Sequence, residues 1–434
     1  MLEIQLRYNR SSHDAFVTER QMVRTAIPAV EWPAHSGIEG VGARAAAPDA
    51  DVSGERTALA VRSWSPGRPP DTFPYRAVLD HVGTVGRMHV RDRVLAPLRD
   101  VAVREVAAPD GRWPLPQWLP STVDQDNSTY DGYLLTELLL SVVDLDDERS
   151  VDRLLGGLAA DTLAAEAEML RRHPGRAQRT RTAAAATVLG KLSTVDGRRA
   201  VPDDELALHL AVMARDFRRA LPEDTRLAID IALLPITRLH DEHMFFRNVQ
   251  LFEMLYAYLG ARLQRAGHAL RRGDVPAAVE QLDRAVRRLG LSQPLYRVLT
   301  TMPKTSFAII RVHSDGRSAV QSRHYRRVEL LCAPRRPVPQ TADLPPVTLG
   351  GPVLQDVFLS IVDKLEPVAV SLLTERMSAL DQGWRAMKRT HWGVTLKIIG
   401  DDEGTGGTSG ARYLERAAGV RLFPLLAEAG ETRP

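Results

Sequence analysis

Only one cysteine, Cys332, occurs in 434 residues. That excludes an internal disulfide and any thiolate metal cage, and its setting in VELLCA reads as a small buried hydrophobe. No stretch approaches the run of about 18 apolar residues that a membrane span needs, so no membrane partner is expected. The N-terminal MLEIQLRYNRSSHDAF carries no apolar signal segment, and a cytoplasmic location is the expectation. Net charge is also scarce: 57 Lys+Arg against 54 Asp+Glu leave +3, too little to point to nucleic acid. Lysine is rare, with Lys191, Lys304, Lys364, Lys388 and Lys397 standing among many arginines; this reads as a compositional bias rather than a binding signature. What remains is 44% hydrophobic residues, enough for a sizeable core, with no internal repeat or low-complexity tract.

Proline and glycine divide the chain. Residues 1–125 hold clusters such as SPGRPPDTFP and GRWPLPQWLP and show no sustained helical period, so they read as an irregular, extended and looped N-terminal extension. From STYDGYLLTELLLSVVDL onward apolar residues fall at helical spacing, and residues 126–434 read as an all-α domain. Alanine-rich stretches such as LLGGLAADTLAAEAEMLRRH favour helix strongly. A proline-rich connector at 335–352 precedes two expected helices, VLQDVFLSIVDKLEPVAVSLLTERMSAL and GWRAMKRTHWGVTLKII.

In the last of these, Trp384, Met387, His391, Val394 and Ile398 fall at three- and four-residue steps and form one apolar face with a histidine in its middle. Such a histidine is either a satisfied core residue or a ligand, and spacing alone leaves both open. Gly400 is a natural helix end. Beyond it, GDDEGTGGTSGARYL packs four glycines into residues 404–410. A Walker loop is excluded because Ala411 and Arg412 follow where Lys and Ser or Thr belong, and a dinucleotide fingerprint because a helix precedes it rather than a strand. A flexible linker remains possible on composition. In HDEH, His240 and His243 lie three apart, but no third ligand cluster accompanies them, and Asp241 and Glu242 at a helix start have an ordinary electrostatic explanation.

Four segments read together carry more. STYDGYLLTELL from Ser128, HDEHMFFRNVQLFEMLYAYL from His240, FAIIRVHSDGRSAVQSRHYRRVE from Phe307 and THWGVTLKIIGDDEGTGGTSGARYL from Thr390 resemble, in order and internal spacing, the signature blocks of the tryptophan 2,3-dioxygenase family. The resemblance implies a helical bundle enclosing a b-type haem, with O2 as co-substrate and a small aromatic amino acid as substrate. It implies His391 as the proximal iron ligand, which suits a neutral imidazole on a rigid helix that leaves the opposite iron face open. The glycine loop would then lie close to haem and substrate, where a Cβ would collide. The match makes Ser318, Gly404, Gly406 and Gly407 cofactor contacts and Thr405 a contact of the substrate ammonium group.

Arg311 matches the arginine that pairs with the substrate carboxylate, a role the guanidinium fork suits; read alone, it is one arginine among many, although FAII would carry it inward. Phe245 and Phe307 match pocket aromatics, with Phe307 where a tyrosine is usual. Tyr130, Tyr133 and Leu134 match residues that in the family reach into a neighbouring subunit's pocket, implying a homo-oligomer, a dimer or tetramer. Two departures stand out. Val249 occupies the position of a distal histidine, so an indole N–H would lack its acceptor. Residues 145–236 intervene where the family has a short connection and read as a helical insertion. The implied activity is dioxygenation with cleavage of the indole C2–C3 bond to an N-formylkynurenine-type product. The rivals are monooxygenation or oxidative rearrangement on the same fold, and a haem-binding sensor without turnover, which would have no use for Arg311.

Overall fold

In the computed structural model the described residues are 47–64, 68–106, 113–125, 129–193, 202–313, 321–335, 344, 346–400 and 409–426. They belong to one unit, 42–434, and contain helices and no strands. The all-α expectation holds. In chain order the helices are α1 (Ala47–Ser63), α2 (Tyr75–Val85), α3 (Asp92–Val106), α4 (Leu115–Val123), α5 (Tyr130–Leu134), α6 (Thr136–Leu140), α7 (Glu148–Arg172), α8 (Arg176–Leu192), α9 (Asp203–Arg219) and α10 (Glu223–Ile231). They continue with α11 (His240–Arg271), α12 (Val275–Leu289), α13 (Ser292–Leu299), α14 (Lys304–His313), α15 (Arg323–Cys332), α16 (Leu354–Ile361), α17 (Pro367–Ile398) and α18 (Ala411–Gly419).

The central element is α11, 32 residues long and buried on nearly every side. Leu251, Leu255, Leu259, Leu263 and Leu270 are each no more than 1% exposed, and burying one such side chain is worth about 1.5–3 kcal/mol. A helix apolar or paired all round belongs inside a larger bundle, and α11 packs against α7, α12, α13, α15 and α16. The second long helix, α17, lies against α12, α13 and α18.

Two expectations need correction. The chain after the connector does not divide before Gly383: the break falls at 362–366, Pro367 opens α17, and the helix then runs through Gly383 to Ile398. Proline is favoured in a first helical turn, where its missing N–H costs nothing. Gly383 is accommodated because a Cβ there would meet Leu289 Cδ2 of α12 at 2.9 Å, so glycine lets the two helices approach. At the far end Gly400, at φ +67°, takes the left-handed conformation that closes α17.

The second correction concerns residues 1–125. Among its described residues that segment forms α1 to α4 joined by short connections, not extended chain. Several of its prolines sit where helices tolerate them, Pro74 and Pro114 immediately before α2 and α4 and Pro116 in the first turn of α4, while Pro97 and Pro120 lie within α3 and α4. Its aromatic residues form a cluster in which Phe73 and Tyr75 pack on Trp118 with ring centroids 5.9 and 5.1 Å away. The Trp118 indole N–H donates to the Ile231 carbonyl at 2.8 Å, tying the cluster to the end of α10.

Candidate functional site

The first turns of α11 are clasped by the helices at 148–231. His240 Nε2 pairs with Glu166 Oε1 at 3.1 Å, and His243 Nε2 with Asp161 Oδ2 at 3.0 Å. Arg247, 1% exposed, donates from Nε to the same Asp161 oxygen at 2.7 Å and from Nη2 to the Ile229 carbonyl at 2.8 Å. Asp241 is bonded by Arg181 and by Ser306. Glu242 accepts the backbone N–H groups of Ile236 and Thr237 at 2.8 and 2.6 Å. Burial works against ionising Asp161, but Arg247 and His243 together hold its carboxyl far below the ordinary range. Burial likewise opposes ionisation of Glu166, which His240 and Arg181 nonetheless hold below its usual value. Both histidines of HDEH are thus engaged with carboxylates of α7.

On another face of the same helix, Phe245, Val249, Phe252, Glu253 and Tyr256 line a cavity. It encloses ≈ 1620 Å³ of atom-free space with its mouth included, of which ≈ 220 Å³ can hold the centre of a water molecule. From α14 come Phe307, Ile310 and Arg311, and from α17 Met387, Lys388, His391, Val394, Thr395 and Ile398. The rings of Phe245 and Phe307 meet edge to face at 5.9 Å. His391 is partly buried and stacks on Tyr296 at 5.6 Å. Burial pushes its imidazole down to about pKa 4, which keeps it neutral at any ordinary pH.

The expected stripe on α17 is present. Met387, His391, Val394 and Ile398 face the cavity, while Trp384, fully buried, stacks on Tyr325 at 5.0 Å. A buried ion pair fixes the turn before His391. Lys388 Nζ donates to Glu329 Oε1 at 3.2 Å and to the Val420 carbonyl at 2.9 Å, and the Trp384 indole N–H donates to the same Glu329 oxygen at 3.0 Å.

Of the residues singled out in the sequence, His391, Arg311, Phe245, Phe307, Val249, Tyr130 and Tyr133 come together around this cavity. Leu134 does not line it. It is fully buried, in a small cluster with Tyr130, Tyr133, Ile236 and Phe246. Tyr130 and Tyr133 line the cavity, and α5 packs on α11 and α4. Ser318, Gly404, Thr405, Gly406 and Gly407 lie outside the described residues.

Sequence reasoning missed Glu253, Tyr256, Tyr296, Tyr325, Lys388 and Tyr413, all on the cavity wall. For Glu253 and Tyr256 the signal was available, since they continue the steps 245, 249, 253, 256 along one helical face. Tyr296, Tyr325 and Tyr413 come from other helices, and only the tertiary packing unites them.

No family model matches the chain. It is similar to curated proteins named tryptophan 2,3-dioxygenase: that of Bradyrhizobium diazoefficiens is 28% identical over 257 residues, covering 49% of this chain and 92% of the relative. Those of a Ruegeria species, 26% identical over 230 residues, and of Burkholderia multivorans, 25% over 257, cover 43% and 49% of this chain and 82% and 83% of the relatives.

Proposed function

We propose that this chain, a divergent member of the tryptophan 2,3-dioxygenase family, is a haem-dependent oxygenase that uses O2 on tryptophan or a related indole-bearing amino acid. The observation that carries the reading is His391: a neutral imidazole on a rigid 32-residue helix, facing a cavity walled by aromatic and aliphatic side chains and containing Arg311. These residues fit the cofactor. A single uncharged imidazole supplies one strong axial ligand, and the apolar walls suit a flat macrocycle. When bound, haem would supply O2 activation and, by family chemistry, its insertion at the indole C2–C3 bond.

The chain's own residues have separable tasks in this reading. His391 would hold the haem iron, steadied one turn earlier by the Lys388–Glu329 pair. Arg311 receives the substrate carboxylate as two parallel charge-assisted hydrogen bonds. Phe245 and Phe307, already in edge-to-face contact, grip the aromatic ring and exclude water. Thr405 and the glycine loop keep the roles the resemblance implies.

One specific observation favours a narrower substrate. Val249 lines the cavity between Phe245 and Glu253 on α11, and valine accepts no hydrogen bond from an indole N–H. A buried donor left without a partner costs about 1–3 kcal/mol. The pocket therefore suits an indole without a free N–H, or a substrate whose polar group lies elsewhere, and the outcome could be monooxygenation instead of ring cleavage.

The test is the absorption spectrum of the purified protein with and without tryptophan and 1-methyltryptophan, followed by product mass after turnover in labelled O2. A Soret band that shifts with an indole amino acid is expected, and His391→Ala should lose the band. Full haem occupancy with an unchanged band in His391→Ala would overturn the assignment.

A further inference from the structure

Around Glu253, a residue of the cavity wall, stands a group of side chains that the haem reading does not use. An oxygen of Asp131 on α5, an oxygen of Glu253 on α11 and a ring nitrogen of His324 on α15 lie within 4.8 Å of one another, the one such cluster among the described residues. His324 is 8% exposed, and its Nε2 is buried with no hydrogen-bond partner. A buried imidazole nitrogen without a partner is costly unless a ligand completes it. Glu253, 1% exposed, accepts from the Tyr130 hydroxyl at 3.0 Å on one oxygen and from Ser322 Oγ at 2.9 Å on the other. Each oxygen retains a lone pair. Asp131 is oriented by the Thr136 hydroxyl at 3.0 Å and by Arg323 Nε at 3.3 Å.

From this arrangement we infer that Asp131, Glu253 and His324 form a binding site for a first-row divalent metal ion, zinc in particular, separate from the haem iron. The donor set decides the class: one imidazole with two carboxylates is a borderline set that zinc accepts, whereas magnesium and calcium call for oxygen ligands alone and more of them. Zinc sits about 2.0–2.2 Å from such donors in a tetrahedron, so the three groups must draw inward by side-chain rotation from their present spacing. The supporting hydrogen bonds from Tyr130, Ser322 and Thr136 are of the kind that orient metal ligands. A bound ion would tie α5 to α11 and α15, and so fix the part of the wall that carries Tyr130 and Tyr133.

The readout does not involve haem, so this inference stands or falls apart from the proposed activity. The haem-loaded protein, treated with chelator and dialysed, is titrated with zinc chloride by calorimetry, and bound zinc is counted by atomic spectroscopy. One zinc per chain is expected, with binding at least tenfold weaker in His324→Gln and in Glu253→Gln and unchanged in His268→Gln, which alters a half-buried histidine outside the cluster. Zinc should raise the melting temperature of the native protein but not of His324→Gln, and magnesium should do neither. Asp131→Asn serves as the second ligand variant if either of the others fails to fold, folding being judged by circular dichroism. Absence of zinc binding in the native protein, or binding of equal strength in the ligand variants, would overturn the site.

Discussion

Two faces of α11 meet opposite surroundings. One carries His240, His243 and Arg247 at steps of three and four and turns toward α7, where each meets a carboxylate: Glu166 for the first, Asp161 for the other two. The other carries Phe245, Val249, Glu253 and Tyr256 at similar steps and opens on the cavity. The first face is closed by complementary charge and its geometry is fixed without any ligand. The second is left with space, apolar walls and few polar groups, the usual character of a small-molecule site. The helices at 148–231, expected only as an insertion of unknown purpose, supply the partners of the first face and hold α11 in the register that aims the second.

Breaking the closed face should give the largest effect. Removing Asp161 leaves Arg247 buried beside His243 and Arg218 without its counter-charge. Truncating one partner of a buried ion pair costs about 3–5 kcal/mol, so Asp161→Ala should unfold at markedly lower denaturant than the native protein. The network also sets the acid limit. Asp161 and Glu166 have folded-state values below their unfolded ones, so their contribution is complete above the ordinary carboxylate range near 4 and is lost as pH falls below it. A stability curve between pH 3 and 7 that is flatter on its acid side in Asp161→Ala than in the native protein is the expected sign; identical curves would mean the clasp contributes nothing.

Truncation in the cavity should leave folding nearly intact and change binding. Arg311→Ala removes the cation proposed for the substrate carboxylate, a loss of about 2–5 kcal/mol if the pair is desolvated. Comparing binding of tryptophan and of tryptamine, which lacks the carboxylate, separates the two readings of this residue. The native protein should prefer tryptophan and the variant should not distinguish them; a preference that survives in Arg311→Ala would return the residue to a packing role.

How much of this was legible in the sequence follows the same division. The face on α17 with His391, and the pairing of Phe245 with Val249 one turn later, could be read from spacing because both sit on long helices whose period is unbroken. The helices of 47–125 could not, because prolines that open or precede a helix look the same in a string of letters as prolines that prevent one. The carboxylate cluster around His324 was invisible for a further reason: its three members lie more than seventy residues apart in the chain at the closest, on three helices, and nothing in their local sequence marks them.

The smallest and most informative change is on the open face itself. Val249→His places an acceptor on the cavity wall one turn from Phe245, at the position where the family resemblance expects one. If the valine sets substrate choice, the native protein should turn over 1-methyltryptophan at least as well as tryptophan. The histidine variant should then shift toward tryptophan by about tenfold to a hundredfold, since one hydrogen bond of about 1.4 kcal/mol is a factor of ten. The methylated compound keeps the indole ring and replaces its N–H donor by a methyl group. Equal discrimination in both proteins would show that the indole nitrogen does not face α11, and the comparison of the two faces would then need a different orientation of the substrate between Phe245 and Arg311.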